Sequence, residues 1–146
     1  MPIIEVQALP QKPGVDRRGA LTTVCLGVAA RFNLPPHAVW GTWHEIAPGD
    51  YVEGDKAPYV QPASTHPPIV RLFAFEGRSQ KYIERMIKLV ADILSSQLRM
   101  EKGNVFVLFT EGKSGRVYSG GGIVRKKPKK AHRGKSPQKA KPKKRS

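Results

Sequence analysis

The sequence begins Met1-Pro2-Ile3-Ile4-Glu5-Val6, and a near-copy of this stretch follows at Pro68-Ile69-Val70-Arg71-Leu72. Pro68 follows Pro2 by the same number of residues as Arg78 follows Lys12. This constant spacing between equivalent residues is called the repeat shift below. Self-similarity at a fixed spacing is typical of a chain that contains two copies of one structural unit. The repeat therefore predicts two copies with the same elements in the same order.

Each copy is predicted to contain a helix. In the first copy, Asp16 is a candidate N-cap, apolar residues recur at helical spacing as far as Phe32, and Pro35-Pro36 ends the helix. In the second copy, Ser79 is the candidate N-cap. The apolar face of the second helix is predicted to contain Tyr82, Ile83, Met86, Ile87, Val90, Ile93, Leu94 and Leu98.

A strand is predicted before and after each helix. The runs that follow the helices are Ala38 to Trp43 and Val105 to Phe109. Strand, helix and strand in about 45 residues form a βαβ unit with parallel strands and a right-handed crossover. The predicted fold is α/β in the broad sense, or α+β: tandem βαβ units that form a four-stranded sheet with two helices on one face.

Composition divides the chain into four predicted regions. These are a first βαβ unit (1–45), a Pro- and Gly-rich linker (46–67), a second βαβ unit with a C-terminal hairpin (68–124) and a basic tail (125–146). The strands carry apolar residues at nearly every position, so the face without helices also needs cover. Self-association is the predicted way to provide that cover.

The tail accounts for most of the positive charge. The chain has 26 Lys and Arg against 11 Asp and Glu, and residues 125–146 hold 12 of the basic residues and no acid. Such a segment cannot bury enough apolar surface to offset its chain entropy, so we expect it to be disordered. Its charge suggests non-specific binding to nucleic acid or another polyanion, with a steep dependence on salt.

Several classes of protein are not indicated by the composition. No apolar run is long enough to cross a membrane, and the first ten residues do not resemble a signal peptide. The single cysteine, Cys25, cannot form an internal disulfide, and no Cys/His cluster has metal-ligand spacing. We therefore expect a cytoplasmic protein, and the composition indicates no metal site.

Pro2 is a candidate base. Met1 precedes a small residue, so its removal is expected, and Pro2 would then carry a free secondary amine at the amino terminus. Amino-terminal amines titrate near neutrality, at about 7.7 to 8.0. Pro68 cannot act in this way, because its nitrogen is part of a tertiary amide. The two copies are therefore alike in structure and different in chemistry.

These features resemble the tautomerase superfamily, most closely 4-oxalocrotonate tautomerase. The resemblance covers residues 2–124 and rests on the Met-Pro-Ile-Ile start, Glu76-Gly77-Arg78-Ser79 after a strand, the helix that follows, Thr110-Glu111, and Gly120-Gly121-Gly122. It implies a fused pair of βαβ subunits. Proteins of this kind are cis-3-chloroacrylic acid dehalogenase, malonate semialdehyde decarboxylase and macrophage migration inhibitory factor, which assemble as trimers, so a homotrimer is expected.

The resemblance also implies roles for individual residues. Pro2 matches the catalytic proline, Arg78 the arginine that binds the substrate carboxylate, and Tyr118 an aromatic residue over the active site. Lys12 is the counterpart of Arg78 in the first unit. The family's second arginine is missing.

Trp40 and Phe106 stand at the two positions of that missing arginine, one in each copy. We predict that both contact substrate and favour aromatic or apolar monoacids over dicarboxylates, with packing in the core as the alternative.

The implied activity is tautomerisation of a small-molecule 2-oxo acid or enol carboxylate. With Pro2 as general base and Arg78 holding the carboxylate, a proton can be taken from the carbon next to a carbonyl and returned one or more carbons along. The amine and the cation suffice for this transfer, so no cofactor is expected. Two alternatives remain. One is hydration, dehalogenation or decarboxylation, as in other branches of the superfamily. The other is an oligomeric scaffold that binds nucleic acid or polyanions through its tail.

Overall fold

The computed structural model describes residues 1–126, which form two helices, a four-stranded sheet and a hairpin. In chain order the elements are β1 (Ile3–Ala8), α1 (Arg17–Arg31), a 3₁₀ helix (Pro36–Ala38), β2 (Trp40–Glu45), β3 (Ile69–Phe75), α2 (Gln80–Gln97), β4 (Phe106–Gly112), β5 (Val117–Ser119) and β6 (Gly122–Val124). The chain divides into one compact unit, Met1–Gly112, and a second that begins at Lys113.

The sheet confirms the two-copy prediction. Its strand order is β2-β1-β3-β4, with parallel pairs β1/β2 and β3/β4 and an antiparallel pair β1/β3 at the centre. The two parallel pairs have the same register under the repeat shift, since Ile3 lies opposite Trp40 and Ile69 opposite Phe106. Each copy is thus one βαβ unit, and the two join through their first strands.

The predicted N-caps are also confirmed. The Asp16 carboxylate accepts a hydrogen bond from the Gly19 amide at 3.0 Å, and the Ser79 hydroxyl accepts one from the Tyr82 amide at 3.1 Å. Each cap satisfies an amide that the first helical turn leaves without a partner.

Both helices end in the same way. Asn33 and Arg99, which are equivalent under the repeat shift, have left-handed φ angles of 53° and 56°. In each copy the amide one residue further along bonds back into the helix, at 2.8 Å after α1 and 2.9 Å after α2. The repeat therefore extends to the details of helix termination.

The core lies between the helices and one face of the sheet. Alternate residues of β1 and β3 face it, as the two-residue period of a strand requires. Its fully buried members include Ile4, Val6, Val24, Val28, Val70, Leu72, Met86, Val90 and Leu94.

The opposite face of the sheet is open in the single chain. Trp40 and Phe106 are 46% and 53% exposed on this side, so the alternative that they pack in the core is wrong. Trp43 lies three residues after Trp40 in the same strand and therefore points to the other face, where it packs against the core. Leu108 is also exposed on the open face.

The strand in the first copy begins later than predicted. β2 starts at Trp40 rather than Ala38, because Pro35 and Pro36 open a 3₁₀ turn in which the Ala38 amide bonds to the Pro35 carbonyl at 2.9 Å. Proline at this position favours a tight turn over an extended strand.

Residues 46–67 contain a single isolated β-bridge between Glu53 and Lys56, and no helix or longer strand. Polar contacts fasten this segment at several points. The Tyr51 hydroxyl donates to the Pro67 carbonyl at 2.7 Å, and the Asn104 side-chain amide donates to the Thr65 carbonyl at 3.0 Å. It is an ordered connection rather than a loose tether.

The hairpin of β5 and β6 pairs Tyr118 with Ile123, which confirms the predicted short hairpin after the second unit. In the described part of the chain, neither helix is long and apolar enough to cross a membrane. The prediction of a disordered tail concerns residues that lie, from position 127 onward, outside the described part.

Candidate active site

A cavity of about 90 Å³ lies at one edge of the four-stranded sheet, where an edge means the side at which the strands begin or end and not an outer strand. Because β1 and β3 are antiparallel, the start of β1 and the end of β3 meet at this edge, and α2 begins beside them. The cavity is lined by Met1, Pro2, Leu34, Ala74, Phe75, Glu76, Gly77, Arg78, Tyr82 and Met86. The structure therefore brings Pro2 and Arg78, two of the predicted site residues, into one cavity.

Pro2 is buried, and its main chain is held by the neighbouring strand. The Trp40 amide donates a hydrogen bond of 3.0 Å to the Pro2 carbonyl. The amino terminus of the chain is thereby fixed at the cavity, with Met1 among the lining residues.

The environment favours a neutral amine. Burial, and to a smaller extent the positive charge of Arg78, lower the pKa of the amino-terminal Met1 amine from its ordinary value of 8.0. Both causes act against the charged form of an amine.

Arg78 reaches the cavity from the turn between β3 and α2. It lies immediately before the Ser79 N-cap, after Gly77 with a left-handed φ of 113°. Its guanidinium carbon lies 4.9 Å from the centre of the Tyr82 ring, and among residues 1–126 it has no acidic partner within salt-bridge distance. The N-terminus of a helix attracts anions and disfavours a cation that has no anionic partner. Arg78 at this position therefore favours the binding of an anion.

Tyr82 and Met86 were predicted as members of the apolar face of α2, and the structure places both in the cavity lining. The Tyr82 ring packs on Phe32 at 4.7 Å between centroids. Sequence reasoning missed this role, although Tyr82 and Met86 are four residues apart, which is the spacing of neighbours on one helical face, and Arg78 precedes the helix by two residues.

Lys12 and Phe106 do not line this cavity. Lys12 follows the far end of β1, where its amine donates to the Arg99 carbonyl at 2.8 Å. Phe106 begins β4 opposite Ile69, at that same far edge, and lines a separate shallow pocket with Tyr51 and Pro67. The antiparallel pairing of the two copies therefore places the counterparts of Pro2 and Arg78 at the opposite edge of the sheet.

Trp40 contacts the site through its backbone. Its indole NH donates to the His37 carbonyl at 3.1 Å, and the ring stays half-exposed on the open face of the sheet.

Tyr118 belongs to the hairpin of the second compact unit, where it is 70% exposed.

The cavity thus combines the Met1 amine, whose pKa is lowered, with the Arg78 guanidinium and the Tyr82 ring. Such a set can bind a carboxylate and transfer a proton. Within residues 1–126, no three His, Cys, Asp or Glu side chains lie together as metal ligands would.

No protein-family model and no curated protein matches the chain in sequence. Solved structures do match it in fold. A fused 4-OT, solved as a symmetric trimer, has a TM-score of 0.69 and 15% identity over 84% of this chain and 94% of its own. Pt0534, solved after inactivation by 2-oxo-3-pentynoate, has a TM-score of 0.71 and 16% identity over the same shares of the two chains.

A member of the cis-3-chloroacrylic acid dehalogenase family has a TM-score of 0.63 and 17% identity over 93% of each chain. At these identities the likenesses establish the fold. The chain has the fold of the tautomerase superfamily, as the sequence predicted.

Proposed function

We propose that this chain, with its tautomerase-superfamily fold, is a tautomerase of 2-oxo acids or their enols that uses the Pro2 amine as general base. The observation that carries the proposal is the shared cavity of the amino terminus and Arg78. An amine whose charged form is disfavoured and a cation that can hold a carboxylate are the two groups that this reaction requires.

The proposed mechanism begins after removal of Met1. The Arg78 guanidinium binds the substrate carboxylate and favours the negative charge that develops on the neighbouring oxygen. The Pro2 nitrogen takes a proton from the carbon next to the carbonyl, forming the enolate. The protonated amine then returns the proton to another atom of the conjugated system.

Substrate class follows from the groups in the cavity. Arg78 supplies one guanidinium, and Tyr82, Phe75 and Met86 supply apolar or aromatic surface. We propose monocarboxylates with an aromatic or apolar group in preference to dicarboxylates. Pt0534, which shares the fold, is inactivated by 2-oxo-3-pentynoate, a 2-oxo monocarboxylate.

We propose that the chain forms a homotrimer, as the fused 4-OT does. A trimer would cover the apolar residues of the open sheet face. Assembly would also decide whether Lys12 and Phe106 can contact substrate. A six-residue strand separates their edge of the sheet from Pro2 by about 20 Å, which is too far for a contact within one chain. If these two residues contact substrate, as the resemblance implies, they reach the cavity of another copy. Substrate contacts by Tyr118 and Trp40 stay predictions.

The first test is ketonisation of an arylpyruvate enol and of 2-hydroxymuconate by protein that has lost Met1, beside a Pro2→Ala variant. Turnover above the uncatalysed rate, with the aromatic monoacid preferred and with activity reduced in the variant, is the expected result. No turnover of either enol would overturn the tautomerase proposal. Assays of hydration, dehalogenation and decarboxylation would then follow, since the match to a dehalogenase-family member keeps that chemistry open.

A second candidate function is binding of nucleic acid or another polyanion through residues 125–146. The observation that favours it is the charge of this segment, with 12 Lys and Arg and no acid. Three copies in a trimer would bind one polyanion together more tightly than a single copy. Deletion of these residues should abolish DNA binding at low salt and leave enol turnover unchanged. Unchanged DNA affinity after the deletion would overturn this proposal. The cytoplasmic location is a separate prediction and does not depend on the tail.

A further inference from the structure

We infer that Tyr82, braced by Phe32, is a positioning residue that holds the Arg78 guanidinium at the cavity and so sets the affinity for carboxylates. The inference deepens the proposed function and rests on it. Tyr82 lines the cavity together with Arg78, and its ring lies directly against the guanidinium, 4.9 Å from centroid to carbon.

Arg78 needs such a support. Its side chain is exposed, and an arginine loses considerable rotamer freedom when it is held in one position. It also lies beside the N-terminus of α2, where the helix dipole disfavours a cation. The face of an aromatic ring attracts a guanidinium and can keep it in place before substrate arrives.

The Tyr82 ring is itself packed against a second aromatic ring. Phe32, the C-cap of α1, packs on it at 4.7 Å with the planes inclined by 58°. The first copy thus braces the arginine that the second copy supplies. The aromatic contact joins the two copies at the cavity.

This contact departs from the repeat that governs the rest of the fold. Under the repeat shift, Phe32 corresponds to the buried Leu98, and Tyr82 corresponds to Asp16, an N-cap. The two equivalent positions at the far edge are therefore not aromatic, and Lys12 bonds there to a backbone carbonyl. The departure occurs next to the edge at which the amine and the arginine meet.

Arg85 provides a matched control. Its guanidinium carbon lies 5.7 Å from the centre of the Phe32 ring, so it contacts the same aromatic pair, but it does not line the cavity. Arg85→Gln removes one positive charge and one cation–aromatic contact from α2 without altering the cavity.

The experiment compares Tyr82→Leu, Tyr82→Phe and Arg85→Gln by steady-state kinetics on an enol carboxylate. Tyr82→Leu should raise KM by about three- to tenfold with kcat within about twofold, because the loss concerns carboxylate binding through Arg78. Tyr82→Phe, which keeps the ring face, should raise KM less than Tyr82→Leu does, and Arg85→Gln, outside the cavity lining, should leave KM unchanged.

A second readout does not depend on turnover. The charged side chains that line the cavity are Arg78 and Glu76, and ¹⁵N NMR of the amino-terminal amine reports on their placement. Tyr82→Leu should raise the pKa of the amine in the same direction as Arg78→Gln, because the nearby positive charge moves away. If the protein turns over no enol but this titration still shifts, the proposed function fails and the positioning role stands.

Unchanged KM and unchanged titration in folded Tyr82→Leu would overturn the inference. If that variant does not fold, Phe32→Leu replaces it, since leucine is the residue that the second copy has at the equivalent position. It should produce the same changes at smaller amplitude, and wild-type values for both readouts would likewise overturn the inference.

Discussion

The Trp40 amide donates a 3.0 Å hydrogen bond to the carbonyl of Pro2, and in the second copy the Phe106 amide makes the same bond to Pro68. The two copies thus anchor their prolines identically at the two edges of the sheet. The Pro68 nitrogen is a tertiary amide, whereas Pro2 lies at the amino terminus and lines a cavity with Arg78 and Tyr82. The repeat therefore builds two equivalent places, and the chemistry we propose needs the one that contains the chain's amino terminus.

Replacing Arg78 with glutamine should weaken binding of carboxylate substrates. A hydrogen bond to a charged group contributes about 1.5–3 kcal/mol, so KM should rise by about 10- to 150-fold. Steady-state kinetics on an enol carboxylate measure this change. Lys81→Gln is the control, because Lys81 is a nearby exposed cation on α2 that does not line the cavity, and it should leave KM within twofold. Equal effects of the two substitutions would mean that Arg78 acts only through general charge.

The pH profile should reveal the amine. A base must be neutral to accept a proton, so kcat/KM should fall as the pH drops through the pKa of the Pro2 amine. Burial and the charge of Arg78 lower the pKa of the Met1 amine at this cavity, and we expect the same two causes to lower the pKa of the Pro2 amine once Met1 is removed. In Arg78→Gln the acid limb should move to higher pH, because the positive charge that disfavours protonation is gone. A profile that is flat between pH 5 and 8, or a shift to lower pH in the variant, would contradict the assignment.

Substitution of the two N-caps should separate an effect on stability from an effect on substrate binding. Asp16→Ala and Ser79→Ala should each lower the free energy of unfolding by about 1 kcal/mol, since each removes one capping hydrogen bond. Denaturant unfolding measures this loss. Only Ser79→Ala should also raise KM, because Ser79 follows Arg78 in the turn that brings it to the cavity. A similar KM for both variants would show that this turn does not position Arg78.

The open face of the sheet should mediate assembly. Leu108 is 44% exposed there, and Leu108→Asp would place a charge in the proposed trimer contact, where desolvation is costly. Sedimentation velocity should show a dissociated variant. Leu26→Asp, at a leucine of α1 with 51% exposure, is the control and should sediment like the wild type. If the Leu108 variant assembles normally, the trimer does not use this face.

Much of the fold could be predicted from the sequence, because each element of one copy also predicts the equivalent element of the other. The shift that aligns Pro2-Ile3-Ile4 with Pro68-Ile69-Val70 also describes the strand registers and the helix ends. Asp16 and Ser79 were identifiable as caps from residue type and position alone.

The site was harder to predict because it depends on how the copies join. Antiparallel pairing of β1 and β3 separates Lys12 from Pro2, and no pattern within one copy reveals that. Helical spacing placed Tyr82 on the apolar face of α2 but could not distinguish the core from a cavity lining. Strand alternation likewise left the alternative that Trp40 packs in the core, which its exposure excludes.

The most direct test of the central claim uses one sequence in two forms. Protein that has lost Met1 is compared with protein that keeps Met1 because methionine aminopeptidase was inhibited during expression, and mass spectrometry verifies each form. In the second form the Pro2 nitrogen is an amide without basic character, so enol ketonisation should fall by about 10²- to 10⁴-fold. Equal rates for the two forms would show that the Pro2 amine is not the base.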